Sequence, residues 1–415
     1  MKHIAFQFLF FTFLVISCDS NKEISLLVIN PLDYQRNDAV LVLTREKISG
    51  WSKIPDGKVP VLSLESRDPL PCQLDDTDGD GIWDELFGLS DLGPFEEKTL
   101  LLTFISPEEY PGFKKRTNVR LAANQPGFPE LEKAERLEGV TYHNHSLTKE
   151  AYLMEGPAWE NDKVGFRNYL DQRNGMDIFG KLTTEMVLDS VDIAGSTSYH
   201  EPAAWGMDVL QVGTSLGAGS IGYMYEDSIY RVGDNGSGTY ELLFEGSQRS
   251  RFLLSYTHWE VENSPIDVTH YIEIVAGHNC YQCFVTYTGT EKVIDLVPGI
   301  VNMKSDSLYV MNLNDKFTGL FTYDLQAEDT TLLAMALIVP SASLKKIDES
   351  KESGNGITQT YYAVLEAKPD DPVPYRFYSL WEREDSRWAS LEEIKNFLQV
   401  EADRWATAVY IQSLP

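Results

Sequence analysis

From Leu137 to about Leu380 the chain is a succession of short apolar runs, broken by turn formers such as Asp234-Asn235-Gly236, Thr288-Gly289 and Asn312-Leu313-Asn314-Asp315. Glycine and aromatic residues are plentiful, and no long stretch repeats at helical spacing. Such a chain cannot lay an apolar stripe along helices, so it buries alternating faces between antiparallel sheets. The expectation is a mainly β protein whose main body, residues 137–415, is a large antiparallel sandwich. A smaller sandwich is expected over 18–106, where Ile24 to Ile29, Ala39 to Thr44 and Leu100 to Phe104 are compact apolar runs. Between them, 107–136 carries Pro107, Pro111, Gly112, Pro126, Gly127 and Pro129 and reads as a linker or crossing segment. One helix closes the chain. Ser390-Leu391-Glu392-Glu393 is a capping box, and Leu391, Ile394, Leu398, Ala402, Trp405 and Val409 follow at helical spacing.

The first residues stand outside this fold. Lys2 precedes an apolar run, Ile4 to Ile16, that is shorter than the ~20 residues a membrane span needs. Val15-Ile16-Ser17-Cys18 resembles a relaxed lipobox, so 1–17 reads as a signal peptide and Cys18 as a lipidated residue. The expected location is exported and lipid-anchored at the cell envelope, periplasmic or surface-facing. Of the other cysteines, Cys280 and Cys283 are three apart in an expected strand. They therefore face opposite ways and read as core thiols, not as a disulfide or metal pair.

Lys and Arg number 35 against 63 Asp and Glu, a net charge of −28. That field repels phosphate backbones, so nucleic acid is not an expected partner, and any anionic ligand needs a local basic site. The acidic excess is locally organised. Asp76, Asp78, Asp80 and Asp84 stand at positions 1, 3, 5 and 9 of a tight loop, with Gly81 at the sharp turn and the Ile82 carbonyl at position 7. That spacing converges oxygens as Ca²⁺ loops do. Position 12 is Phe87 where a bidentate Glu is usual, so Glu85 or water must complete the shell. The expected ion is structural.

Unusual residues concentrate in Glu155 to Lys181. Trp159 to Lys181 holds four cations (Lys163, Arg167, Arg173, Lys181) and four anions (Glu160, Asp162, Asp171, Asp177). A second stretch runs from Tyr199 through His200 and Trp205 to Asp208, and the histidines beyond the leader all lie between His143 and His278. Histidine is the usual general base near neutral pH. Gly217, Gly219 and Gly222 match a dinucleotide-binding pattern, but strand and not helix is expected after them. His143 and His145 share a strand face without a placed third metal ligand. Asn144 and Asn235 begin glycosylation sequons that mean little in a bacterial lipoprotein.

Three blocks, PCQLDDTDGDGIWDELFGL, GPAWENDKVGFRNYLDQRNGMDIFGK and YHEPAAWGMDVLQVG, resemble the family called domain of unknown function 4861, over most of the chain. Ala203-Ala204 between His200 and Trp205 is a departure. The resemblance implies a galactose-mutarotase-like supersandwich and an exported product of glycan-degrading bacteria. It also implies dehydration or lysis of uronic-acid oligosaccharides. Such β-elimination needs a cation to neutralise the carboxylate, a base for the C5 proton and an acid for the leaving oxygen. Arg167 and Arg173 suit the first role, His200 the second, and Tyr199 or Tyr169 the third. Asp171 and Asp208 are expected to orient the base or hydroxyls, and Trp159 and Trp205 to stack on sugar. Glu160, Asp177, Lys181, His258 and His270 complete the expected substrate-binding set, His258 and His270 being the reserve bases. A glycoside hydrolase with two carboxylates from Glu160, Asp171, Asp177 and Asp208, and a non-catalytic glycan-binding lipoprotein, are the alternatives.

Overall fold

The computed structural model describes residues 23–122, 133–140, 151–193, 198–232, 237–261, 264–353 and 356–415. Cys18, His143, His145, Asn144 and Asn235 lie outside the described residues. Alternation decides the first strand. In Ile24–Ile29, Ile24, Leu26 and Val28 are buried while their neighbours stay partly exposed. The strand is central in an antiparallel sheet ordered Tyr410–Ser413, Ile24–Ile29, Glu97–Ile105, Val59–Leu64. A three-stranded sheet of Arg36–Thr44, Glu85–Leu92 and Cys72–Asp75 completes the small sandwich. Leu26, Val28, Leu41, Leu43, Leu62, Leu100 and Phe104 share its core.

The division expected at 106 and 137 differs from the observed pairing in two places. The small sandwich takes its outer strand from the far end of the chain, with Leu26 opposite Ser413 and Ile29 opposite Tyr410. Within the expected linker, Thr117–Arg120 is a strand paired with Ala158–Asn161.

The main body is a supersandwich. Nine antiparallel strands run in the order Tyr309–Asn312, Phe317–Asp324, Leu333–Pro340, Val373–Trp381, Cys280–Thr288, Ser264–Val275, Arg249–Val261, Ser237–Glu245, Arg136–Val140. Two five-stranded sheets oppose them. One is built on Ala218–Tyr225, Ile294–Val301 and Thr360–Ala367, the other on Met176–Lys181, Val164–Asn168 and Ala158–Asn161. A parallel bridge from Met176 to Gly217 joins their edges. Strand Ala218–Tyr225 carries Gly219 and Gly222 of the dinucleotide-like pattern, Gly217 stands just before it, and the next described element is again a strand, Ser228–Arg231.

Helix Leu391–Ala406 lies on the outer face of the nine-stranded sheet. The Ser390 hydroxyl accepts from the Glu393 N–H at 3.4 Å, as the capping box predicts. Ile394, Leu398 and Ala402 pack on Phe321, Ala336 and Tyr378. Val409, expected on the same stripe, lies beyond the helix and packs into the small sandwich. The two cysteines separate as their spacing predicts. Cys280 packs in the helix layer and Cys283 in the main core, both as free thiols.

Candidate functional site

Cross-strand register gathers the charged cluster. Arg167 on Val164–Asn168 lies opposite Asp177 on Met176–Lys181, and Phe179, two residues along, lies opposite Asp208. Side chains two apart share a face, so Asp177 and Asp208 project with Arg167 on one side. The opposite parity, Phe166 against Trp159, enters the main core. Arg167 is 1% exposed. It donates to Asp177 at 2.6 and 3.0 Å, to Asp208 and the Tyr169 hydroxyl at 2.6 Å, and to the Tyr199 hydroxyl at 3.1 Å. The Tyr169 hydroxyl donates to Asp177.

This buried assembly backs onto a cleft of about 320 Å³, whose charged and polar lining includes Glu155, Tyr169, Arg173, His200, Asp208 and Glu328. The His200 side chain is 57% exposed, and its Nδ1 lies 3.4 Å from Asp208 Oδ2. Arg173 lies 3.8 Å from the Tyr169 ring centroid and is held by Asp171 at 2.5–3.0 Å and by Glu155 at 3.0 Å. Met154 and Glu155 both have left-handed backbone, with φ of 53° and 64°. Non-glycine residues there store strain that the surrounding structure must hold.

Burial, and then the neighbouring Asp177 charge, push the Asp208 carboxyl well above the usual carboxylate range, with Arg167 opposing. Burial likewise raises Tyr169 well above the usual phenol range and pushes Tyr199 up to about 12. Both phenols therefore stay protonated at neutral pH. The cleft thus combines an accessible imidazole, a carboxyl that holds its proton unusually well, neutral phenol and a guanidinium.

Of the expected residues, His200, Tyr169, Arg173 and Asp208 line the cleft together. Asp171 is buried and positions Arg173. Others are corrected by burial. Arg167 has its guanidinium enclosed by Asp177, Asp208 and two phenols, so it presents no fork to a substrate carboxylate. Asp177 is buried beside it. Tyr199 is buried against Arg167, and it precedes His200 in a turn and not on a strand, with the two rings 4.3 Å apart. Trp159 is fully buried among Phe166, Phe252 and Tyr281 and offers no face to sugar. Glu160 and Lys181 pair with each other at 2.5 Å in the interior, Glu160 also accepting from the Val187 and Leu188 N–H groups. His270 is buried against Cys283 and Tyr375, and burial lowers its pKa to about 3, too weak a base for the role held in reserve. His258 is exposed at a register shift, and neither it nor Trp205 lines the cleft. Trp205 is half-buried against Phe179.

Glu155 and Glu328 were not among the expected residues. Glu155 opens the unusual stretch Glu155 to Lys181, where its left-handed backbone leaves no trace in composition. Glu328 reaches the cleft because its N–H bonds the Val209 carbonyl at 2.9 Å, a long-range contact without local signature.

In the acidic loop Asp76, Asp78 and Asp84 each bring a carboxylate oxygen within 4.8 Å of the others. Asp80 does not join that group. Its carboxylate accepts from the Ile82 N–H at 2.7 Å, as Asp76, Asp78 and Asp84 also accept from loop N–H groups, and Ile82 is exposed.

A curated relative, "Uncharacterized protein P7" of Formosa agariphila, is 25% identical over 152 residues, 32% of this chain and 38% of that protein. The alignment thus spans well under half of the relative. An alpha-mannosidase from Enterococcus faecalis V583 superposes with a TM-score of 0.46 at 8% identity, over 95% of this chain and 46% of that one. A glycosyl hydrolase family 38 protein from Enterococcus faecalis gives 0.47 at 9% identity, over 95% and 47%. For a provisionally assigned aldose 1-epimerase from Klebsiella pneumoniae the values are 0.32 at 9%, over 68% and 96%. Residues 28–411 match the family described as "Domain of unknown function (DUF4861)", and with nearly its whole length matched the chain belongs to that family.

Proposed function

We propose that the cleft is the active site of a carbohydrate-active enzyme that performs β-elimination on uronic-acid-containing oligosaccharides. The observation that carries this reading is the His200–Asp208 pair at the cleft, with Arg173 on the same wall. In the proposed reaction Arg173 faces the substrate carboxylate, which makes the C5 hydrogen acidic. His200 takes that proton while the C5 electron pair becomes the C4=C5 bond. The C4–O bond breaks and its oxygen leaves with a proton from Tyr169, whose phenol burial keeps protonated. Asp208 accepts a hydrogen from the imidazole when His200 becomes charged.

A second reading, glycoside hydrolysis, draws on three carboxyl groups, Glu155, Asp208 and Glu328, lining the same cleft. The deciding assay incubates the protein with uronate oligosaccharides and follows the ultraviolet absorbance of a conjugated C4=C5 uronate. Growth of that band that is lost in His200→Ala supports elimination. New reducing ends without the band support hydrolysis. We also propose an exported protein, lipid-anchored through Cys18, with one structural Ca²⁺ on Asp76, Asp78 and Asp84.

A further inference from the structure

A second cavity, of about 310 Å³, lies where the small sandwich, the nine-stranded sheet and helix Leu391–Ala406 meet, and it shares no lining residue with the cleft. Its charged and titratable lining is Arg36, Lys47, His278, Arg376, Glu401 and Arg404. Four cations thus face one carboxylate, in a chain whose acids outnumber its bases 63 to 35. Glu401 is already engaged, with Arg404 at 2.6 Å and His278 at 4.0 Å. Arg36 is buried. It donates to Asn30 at 2.9 Å and to the Thr407 carbonyl at 2.5 Å, both uncharged acceptors. Arg376 donates to Gln282 at 2.9 Å and stacks over Trp405 at 4.5 Å. Nε of Arg404 and Nε2 of His278 are buried with no hydrogen-bond partner.

Clustered, partly desolvated guanidinium groups repel one another and are costly unless an anion answers them. Guanidinium forks match planar and tetrahedral oxyanions, and the volume lies within the ~300–1,000 Å³ range of small-molecule sites. We infer that this junction cavity is a ligand site for an oxyanion, a sulfate or a carboxylate, free or carried on a sugar. It spans elements of both sandwiches, so the ligand would brace one against the other.

The test is thermal unfolding of the full chain with sodium sulfate or sodium glucuronate, each against sodium chloride at equal ionic strength. A ligand bound only by the folded state raises the melting temperature in a saturable way. The expected result is such a rise with at least one anion, and about tenfold more anion needed for the same rise in Arg376→Gln and in Lys47→Glu. A response to sulfate alone identifies a sulfate site, to glucuronate alone a carboxylate site, and to both a general oxyanion site. Lys47 is exposed, so Lys47→Glu carries the test if Arg376→Gln does not fold. No saturable rise with either anion overturns the inference. So does a rise unchanged in the variants, which would be a general salt effect.

Discussion

His200 and Arg167 stand 57% and 1% exposed around the same Asp208, and in the proposed reaction that contrast assigns His200 to chemistry and Arg167 to scaffolding. His200→Ala should lower turnover about 10²–10⁴-fold and leave the melting temperature unchanged, since an exposed side chain contributes little to packing. Arg167→Met should do the reverse. It strands Asp177 and Asp208 without their cation, at about 3–5 kcal/mol, and turnover should fall only with the folded fraction. Denaturant curves and turnover on the same two variants check both outcomes. His270 supplies a pH signature. Its folded pKa is about 3 because of burial, while an unfolded imidazole titrates near ~6.5. Between those values the unfolded chain binds the extra proton, so this residue's contribution is present above ~6.5 and is lost as pH falls towards 3. His270→Gln should reduce proton uptake on unfolding at pH 5 by about one proton. Equal uptake would show that another group titrates there. At this scale the sequence was half legible. Residue type pointed to the cluster around Arg167, but parity decided roles, and parity follows from register. Trp159 looked like a sugar platform until its pairing with Phe166 turned it into the core.

Elements were more legible, because caps and periods are local. The Ser390 box and the spacing of Ile394, Leu398 and Ala402 gave a helix whose buried stripe the fold uses. Leu398→Ala, fully buried against the sheet, should cost about 2–5 kcal/mol, and Ser390→Ala only about 1 kcal/mol, by denaturant midpoint. The acidic loop was legible in its spacing but not in its detail, since an aspartate can cap a backbone N–H as readily as reach an ion. Asp80 caps Ile82. Chelator should lower the melting temperature and added Ca²⁺ restore it, and Asp84→Asn should abolish that response where Asp80→Asn leaves most of it. A melting curve indifferent to chelator and Ca²⁺ would remove the ion. The strain at Met154 and Glu155 had no sequence signal at all, because left-handed backbone outside glycine is imposed by tertiary contacts.

Across the whole molecule, mainly β architecture was readable from turn spacing, but the domain boundary was not, since nothing local announces that Tyr410–Ser413 pairs with Ile24–Ile29. Arg249 shows how tightly the bodies are joined. From the nine-stranded sheet it reaches Asp75 and, at 2.8 Å, Glu85 of the small sandwich. Removing residues 408–415 should therefore destabilise the small sandwich first. Hydrogen exchange should quicken in Ile24–Ile29 and Glu97–Ile105 before it does in the nine-stranded sheet. Uniformly faster exchange would mean that the two bodies unfold as one. The same pairing has a consequence for biosynthesis. Strand Ile24–Ile29 is translated long before Tyr410–Ser413, the partner for its outer edge. Until that partner is made, the edge is an open row of amides beside Leu26 and Val28, a template for any neighbouring nascent chain. That edge is sealed only when Tyr410–Ser413 arrives, so a chain stalled or clipped before it carries a sticky strand however well the nine-stranded sheet has folded.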